Sequence, residues 1–226
     1  MPRFSLRGYL RTTFGWDDPT HHRLCGMDEV GRGSFAGPLV AAAVVLPPRF
    51  RHPLLRDSKL LSARQRETAE AAIRRSAVSI AVEEISADDI NGRGLGWANT
   101  EIFRRLASAV DADGYCCDGR LRIGGERTVH CLVDGDALVP AVAAASIVAK
   151  VHRDAIMTAF HRDAPVYCWD RNKGYGAPEH RAAIRAHGTH RQHRHVFIRN
   201  LLQLGLFDDE GLDFEDGAGP VAALAG

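Results

Sequence analysis

The sequence predicts a mixed β-sheet with helices packed on it, an α/β or α+β domain. Three observations lead there. Five short runs are strand-like: Arg23–Glu29, Leu39–Leu46, Val78–Ile85, Gly114–Asp118 and Thr128–Val133. No long helical pattern separates the first two, and Pro47-Pro48 stops the second, so the early strands are expected to pair antiparallel. Segments with helical spacing alternate with the later strands and fill the C-terminal part.

Residues 1–21, with Arg3, Arg7 and Arg11, are expected to form a disordered or loosely packed N-terminal extension. A domain is expected over residues 22–207. Ser62 with Gln65 makes a capping box ahead of a helix over Arg66–Arg75. Trp97, Ile102, Phe103, Leu106 and Val110 recur at helical spacing within Leu95–Val110. Val139–Phe160 reads as a long helix with a small-residue face of Ala141, Ala144, Ala145 and Ala149, suited to close approach to a sheet. Pro178–His187 is a helix stopped by Gly188, and Val196–Leu206 is the last. The acidic, Gly- and Ala-rich residues 208–226 are expected to be disordered.

Composition narrows the function classes. No apolar run reaches transmembrane length, which argues against a membrane partner. The five cysteines are odd in number and form no CxxC pair, which points to reduced thiols in the cytoplasm. The net charge of +1 conceals an asymmetry: six acids and no Lys or Arg follow Leu201, so the first 200 residues carry +7. Such a body suits a polyanionic partner.

The chemistry concentrates on carboxylates at strand ends. Asp28 and Glu29 close the first strand and run into Gly31-Arg32-Gly33. Adjacent strand residues point to opposite faces, and a glycine-released turn directly after the pair is expected to bring the second acid round. Asp118-Gly119 and Asp134-Gly135-Asp136 end two later strands, although Asp-Gly alone is an ordinary turn dipeptide. Converging carboxylates in oxygen-only surroundings suit Mg²⁺ or Mn²⁺ rather than zinc.

With these motifs in order along residues 23–206, the chain resembles the ribonuclease HII family. The residues that carry the resemblance are Gly26-Met27-Asp28-Glu29-Val30-Gly31-Arg32-Gly33, Gly37-Pro38-Leu39-Val40, Asp57-Ser58-Lys59, Asp118-Gly119, Gly135-Asp136, Ala144 through Val151, and Lys173-Gly174-Tyr175. The resemblance implies a ribonuclease H-like mixed central sheet flanked by helices, with a helical C-terminal portion. It implies metal-dependent hydrolysis 5′ to ribonucleotides in RNA–DNA hybrids and in duplex DNA, leaving 3′-hydroxyl and 5′-phosphate ends. It maps the four catalytic, metal-binding acids onto Asp28, Glu29, Asp118 and Asp136. For the last of these Asp134 and Asp154 also compete, and Asp134 takes the place of a family lysine. The resemblance gives ribose sensing to Gly31, Arg32 and Gly33 and sugar stacking to Tyr175. Lys59, Ser146 and Lys150 become candidate phosphate contacts, and Asn172 replaces a frequent family histidine.

Three further features stand beside this. Gly31 to Ala36 fits a dinucleotide-binding pattern, but the next segment reads as a strand rather than a helix. His187, His190, His193 and His195 suggest a basic face near nucleic acid, without cysteines at zinc-finger spacing. Gln203-Leu204-Gly205-Leu206-Phe207 resembles the peptide by which replication proteins dock on the sliding clamp. A monomer is expected. The rival from another class is a non-catalytic hybrid-binding protein on the same fold.

Overall fold

The computed structural model describes residues 4–55 and 61–203. Five strands form one sheet in the order β3-β2-β1-β4-β5: β1 Leu24–Val30, β2 Leu39–Val45, β3 Ser79–Ile85, β4 Gly114–Asp118 and β5 Val129–Leu132. β2 pairs antiparallel with β1 and with β3, as the short β1–β2 connection dictates. β4 runs parallel to both β1 and β5. All seven residues of β2 are buried, so this strand is covered on both faces.

The two faces carry different helices. On one, Cys25, Met27, Leu39, Ala41 and Cys117 pack with Ile102, Phe103 and Leu106 of α4 (Leu95–Ala109). The short helix α3 (Ala87–Arg93) adds Ile90 there. On the other face, Val40, Ala42 and Val44 pack with Ala144, Ala145, Ile147, Val148 and Ala149 of α6 (Pro140–Asp163). α2 (Ala63–Ser76) joins this layer through Ala69 and Ile73. Its expected capping box is present: Ser62 Oγ accepts from the Gln65 amide, and Gln65 Oε1 accepts from the Ser62 amide.

α6 lies against β1 because Gly26 has no side chain. A Cβ at Gly26 would run into the main chain at Ala141 and Val142. Small helix residues and a strand glycine together bring the two backbones into contact. Beyond α6 the chain turns through α7 (Trp169–Asn172), α8 (Pro178–His187) and α9 (His195–Gln203). Trp169, Ile184 and Ile198 form a separate core there with Met157 of α6. α5 (Gly135–Leu138) is a single turn after β5.

The N-terminal segment differs from the expectation of a disordered or loosely packed extension. Leu6–Phe14 forms α1, capped by Ser5 Oγ, which accepts from the Gly8 amide, and ended by Gly15 in the left-handed region. Leu6 and Tyr9 pack against Cys116 and Val142, and Leu10 and Trp16 are buried. The cap, the spacing of Leu6, Tyr9, Leu10 and Phe14, and the closing glycine are a readable helix signal, obscured by the arginines on the outer side.

Gly26→Ala is expected to destabilise the fold by about 3 kcal/mol or more, because main chain on both sides cannot yield as a side chain can. Denaturant unfolding of the two proteins measures this.

Candidate active site

The acids arise from strand register. β1 and β4 are parallel and pair Gly26 with Cys116 and Met27 with Cys117, so Asp28 and Asp118 follow at the same level. Gly26 and Cys116 face α6, and by strand alternation Asp28 and Asp118 share that face. Asp28 is only 7% exposed. Its Oδ1 accepts from the Glu29 amide at 2.8 Å, and the Ser146 hydroxyl of α6 hydrogen-bonds its carboxylate. Burial, then the charge of Glu29, hold the Asp28 carboxyl well above the usual range. The Ser146 hydrogen bond opposes this, and the charges of Asp118 and Asp136 add to it.

Asp118 is fixed from the opposite side. Its Oδ1 accepts from the Gly135 amide at 2.8 Å, tying the end of β4 to the first turn of α5, which carries Asp136. The other two candidates for the fourth acid are placed differently. Asp134 is exposed, with φ 57° in the left-handed region, which Asp tolerates better than most residues. Asp154 pairs with Lys150 at 2.8 Å and with Arg66 at 3.7 Å.

Glu29 departs from the expected geometry. β1 continues through Val30, with Glu29 opposite Ala41 and Val30 opposite Val40, so no turn intervenes and Glu29 keeps the opposite strand face. Its charge reaches the thiols of Cys117 and Cys131 on that side as well as Asp28. Among the described residues no three His, Cys, Asp or Glu side chains converge closely enough to hold a metal ion in this conformation. The four acids share one electrostatic field. Their all-oxygen donor set and the unfavourable charge on buried Asp28 fit hard divalent cations.

The glycine loop stands beside them. Gly31 has φ 89° and is buried against the guanidinium of Arg153, where any side chain would collide. Arg32 and Gly33 are exposed. The Phe35 and Ala36 amides donate to the Gly174 carbonyl at 2.8 and 3.1 Å, joining this loop to Lys173-Gly174-Tyr175. Tyr175 is 37% exposed, with Arg153 and Lys150 at 5.4 and 5.8 Å from its ring centre. Of the expected phosphate contacts, Ser146 is engaged with Asp28 and Lys150 with Asp154. Lys59, Leu204, Leu206 and Phe207 lie outside the described residues, and Gln203 is the last residue of α9. Gly31–Ala36 leads into β2 rather than a helix, so the dinucleotide pattern lacks its helix N-terminus.

The histidines correct the sequence expectation of a basic face. His187 and His195 are exposed, but His193 is fully buried, together with His180. His180 Nδ1 donates to the Tyr175 carbonyl at 2.8 Å, so its Nε2 is the acceptor for Trp169 Nε1 at 3.0 Å. His193 Nε2 then donates to His180 Nε2 at 3.1 Å, and His193 Nδ1 accepts from the His190 amide at 2.7 Å. Both rings are therefore neutral, and they anchor the Tyr175 main chain. Burial pushes His193 down to about 4 and likewise lowers His180. His180, Arg153 and Arg194 carry no signal in the sequence, because nothing in a lone polar residue on a helix or turn distinguishes a buried partner of distant main chain from a surface group.

Three antiparallel strands continued by two parallel ones, backed by α6 and carrying acids at adjacent strand ends, form a ribonuclease H-like fold. The ribonuclease HII family model matches residues 25–200, and the chain belongs to that family. A ribonuclease HII of Porphyromonas gingivalis is 41% identical over 182 residues, covering 77% of this chain and 89% of the relative. Among solved structures, ribonuclease HII of Archaeoglobus fulgidus in complex with PCNA superposes with a TM-score of 0.66 at 24% identity, covering 76% of this chain and 93% of that one. Bst-RNase HIII, solved in complex with Mn²⁺, gives 0.59 at 21% identity, covering 80% and 70%. At these identities the two structures establish the fold alone. The family establishes a nuclease.

His193 makes stability pH-dependent with a defined sign. Its folded-state value is depressed, so between about 6.5 and about 4 the unfolded chain binds the additional proton. Its contribution is intact above 6.5 and declines by about 1.4 kcal/mol per pH unit as the pH falls through that window. Denaturant unfolding at stepped pH should show a slope shallower by this amount in His193→Gln.

Proposed function

We propose that the protein is an endoribonuclease that hydrolyses the phosphodiester 5′ to a ribonucleotide, in RNA–DNA hybrids and at ribonucleotides embedded in duplex DNA. It leaves 3′-hydroxyl and 5′-phosphate ends. The observation that carries this is buried Asp28, set against the charges of Glu29, Asp118 and Asp136 beside an exposed glycine loop that is bonded to the Tyr175 turn. Asp28, Glu29, Asp118 and Asp136 would hold two divalent cations, Mg²⁺ or Mn²⁺, which supply charge neutralisation at the phosphate and a lowered pKa for the attacking water. The Mn²⁺ complex of Bst-RNase HIII supports this choice of ion.

The chain's own groups orient and select. Ser146 fixes the Asp28 carboxylate, and the Gly135 amide fixes Asp118. The Gly31-Arg32-Gly33 backbone approaches the ribose, where a 2′-hydroxyl separates RNA from DNA. Tyr175 stacks on the following sugar, a contact that tolerates any sequence. Lys59 and Lys150 contribute positive charge near the backbone, Lys150 from beside the Tyr175 ring.

The catalytic domain spans 22–207 in this reading, with residues 1–21 an N-terminal extension and 208–226 an acidic tail. We place the protein in the cytoplasm as a monomer, consistent with five free cysteines. No helix among the described residues is long and apolar enough to cross a membrane. Gln203, Leu204, Leu206 and Phe207 form a docking peptide for the replication sliding clamp, a reading supported by the PCNA complex of the Archaeoglobus relative.

A duplex with one embedded ribonucleotide should be cut with Mg²⁺ or Mn²⁺ and left intact with EDTA; absence of a metal-dependent cut refutes the enzyme reading. Asp136→Asn should lower the rate at least about 100-fold, whereas Asp134→Asn should stay near wild type. Equal losses in both would reassign the fourth acid.

Clamp pull-down should succeed with the full chain and fail with Phe207→Ala. Equal recovery of both proteins, or of neither, removes the docking peptide.

A further inference from the structure

Two arginines that the proposed chemistry does not use are buried behind the glycine loop. Arg153 of α6 and Arg194, ahead of α9, are both fully buried, and among the described residues neither forms an ion pair with a carboxylate. Asp154, adjacent to Arg153, is paired with Lys150 and Arg66 instead. Both arginines direct their donors at main chain. Arg153 Nε donates to the Pro38 carbonyl at 2.9 Å, and Nη2 donates to the Ala36 carbonyl at 3.0 Å and to Ser34 Oγ at 2.8 Å. Arg153 Nη1 reaches the Lys173 carbonyl at 2.8 Å, two residues before Tyr175. Arg194 Nε donates to the Gly37 carbonyl at 2.8 Å, and Nη1 to the Gly31 and Arg32 carbonyls at 2.6 and 3.1 Å. The Arg194 amide takes the Phe35 carbonyl at 2.7 Å.

The carbonyls of Gly31, Arg32, Phe35, Ala36, Gly37 and Pro38 are thus all turned inward to these two residues. A peptide group is planar, so fixing a carbonyl inward aims the next amide the other way. Among the described residues the amides of exposed Arg32 and Gly33 have no hydrogen-bond acceptor. We propose that Arg153 and Arg194 are positioning residues for ribonucleotide recognition, holding the loop carbonyls inward so that the Arg32 and Gly33 amides are presented to the substrate.

Two observations separate this from ordinary loop packing. Among the described residues Arg194 Nη2 is buried without a partner, an expense in stability that packing alone does not require. Arg153 also bridges the loop to the Tyr175 turn, with its guanidinium 5.4 Å from the Tyr175 ring, so one side chain registers both sugar-contacting elements. The inference rests on the proposed function and adds to it the residues that set the reader's geometry.

The test uses the full chain, a duplex with one embedded ribonucleotide as substrate and the all-DNA duplex of the same sequence as competitive inhibitor. In Arg194→Lys and Arg153→Lys, which keep the charge but lose the fork of donors, KM for the ribonucleotide duplex should rise about tenfold. Ki for the DNA duplex should stay near wild type. Ser34→Ala removes one hydroxyl shared between Arg153 and Gly31 and should shift the same ratio in the same sense, even if an arginine variant does not fold. A KM to Ki ratio unchanged in Ser34→Ala and in the folded arginine variants, or KM and Ki rising together, overturns the role of the arginines. A wild-type protein with no preference for the ribonucleotide duplex refutes the proposed function itself.

Discussion

The structure depends on the contact between α6 and β1. Three glycines lie along one side of this helix, each where a side chain would collide. Gly26 meets Ala141 and Val142, Gly31 meets Arg153, and Gly37 meets Met157. Val142, Ser146, Arg153 and Met157 recur at helical spacing and lie along one stripe of α6. From Val142 to Ser146 the helix rises about 6 Å, close to the rise of about 6.6 Å from Gly26 to Asp28 in the strand. The Gly26 contact therefore sets Ser146 at Asp28, and two turns later the same stripe supplies Arg153 to Gly31. One packing decision positions both the acids and the loop beside them.

Charge is divided across this arrangement. On the strand side, burial and mutual repulsion disfavour the ionised form of Asp28. On the loop side, burial disfavours the charged form of Arg153 and holds Arg194 down to about 9, with the charge of Arg153 adding to the effect. Each half is electrostatically unsatisfied, and the two lie about two turns apart along α6 rather than cancelling as ion pairs. In the proposed function a phosphodiester with its metal ions would be complementary to both: cations would answer the carboxylates, and phosphate or sugar oxygens the amides and positive charge. Such complementarity is the condition for strong, specific binding at a preorganised site.

Much of this was legible in the sequence because the relevant signals are local. Strand runs bounded by proline and glycine, the Ser62–Gln65 box and the small-residue face at Ala141–Ala149 each act within a few residues, and the corresponding elements are present. Asp28 and Asp118 were recognisable as strand-end acids because each closes an apolar run shortly before a glycine. The orientation of Glu29 was not, since it turns on whether β1 ends before or after Val30, a matter of pairing with Val40 on another strand. The inner histidines and arginines were illegible for the same reason. His193 and Arg194 acquire their roles from His180, Gly31 and Gly37, which are distant in the chain. The cap, spacing and closing glycine of α1 are local signals too, but surface arginines mask them.

In the proposed function water, directed by the acids of β1, β4 and α5, attacks the phosphorus on the 5′ side of a ribonucleotide whose 2′-hydroxyl is recognised and not consumed. End-group analysis of the products from a duplex with a single ribonucleotide tests this directly. The account predicts a ribonucleotide bearing a 5′-phosphate and an upstream DNA strand ending in a 3′-hydroxyl. A 2′,3′-cyclic phosphate, or a cut on the 3′ side of the ribonucleotide, would contradict it.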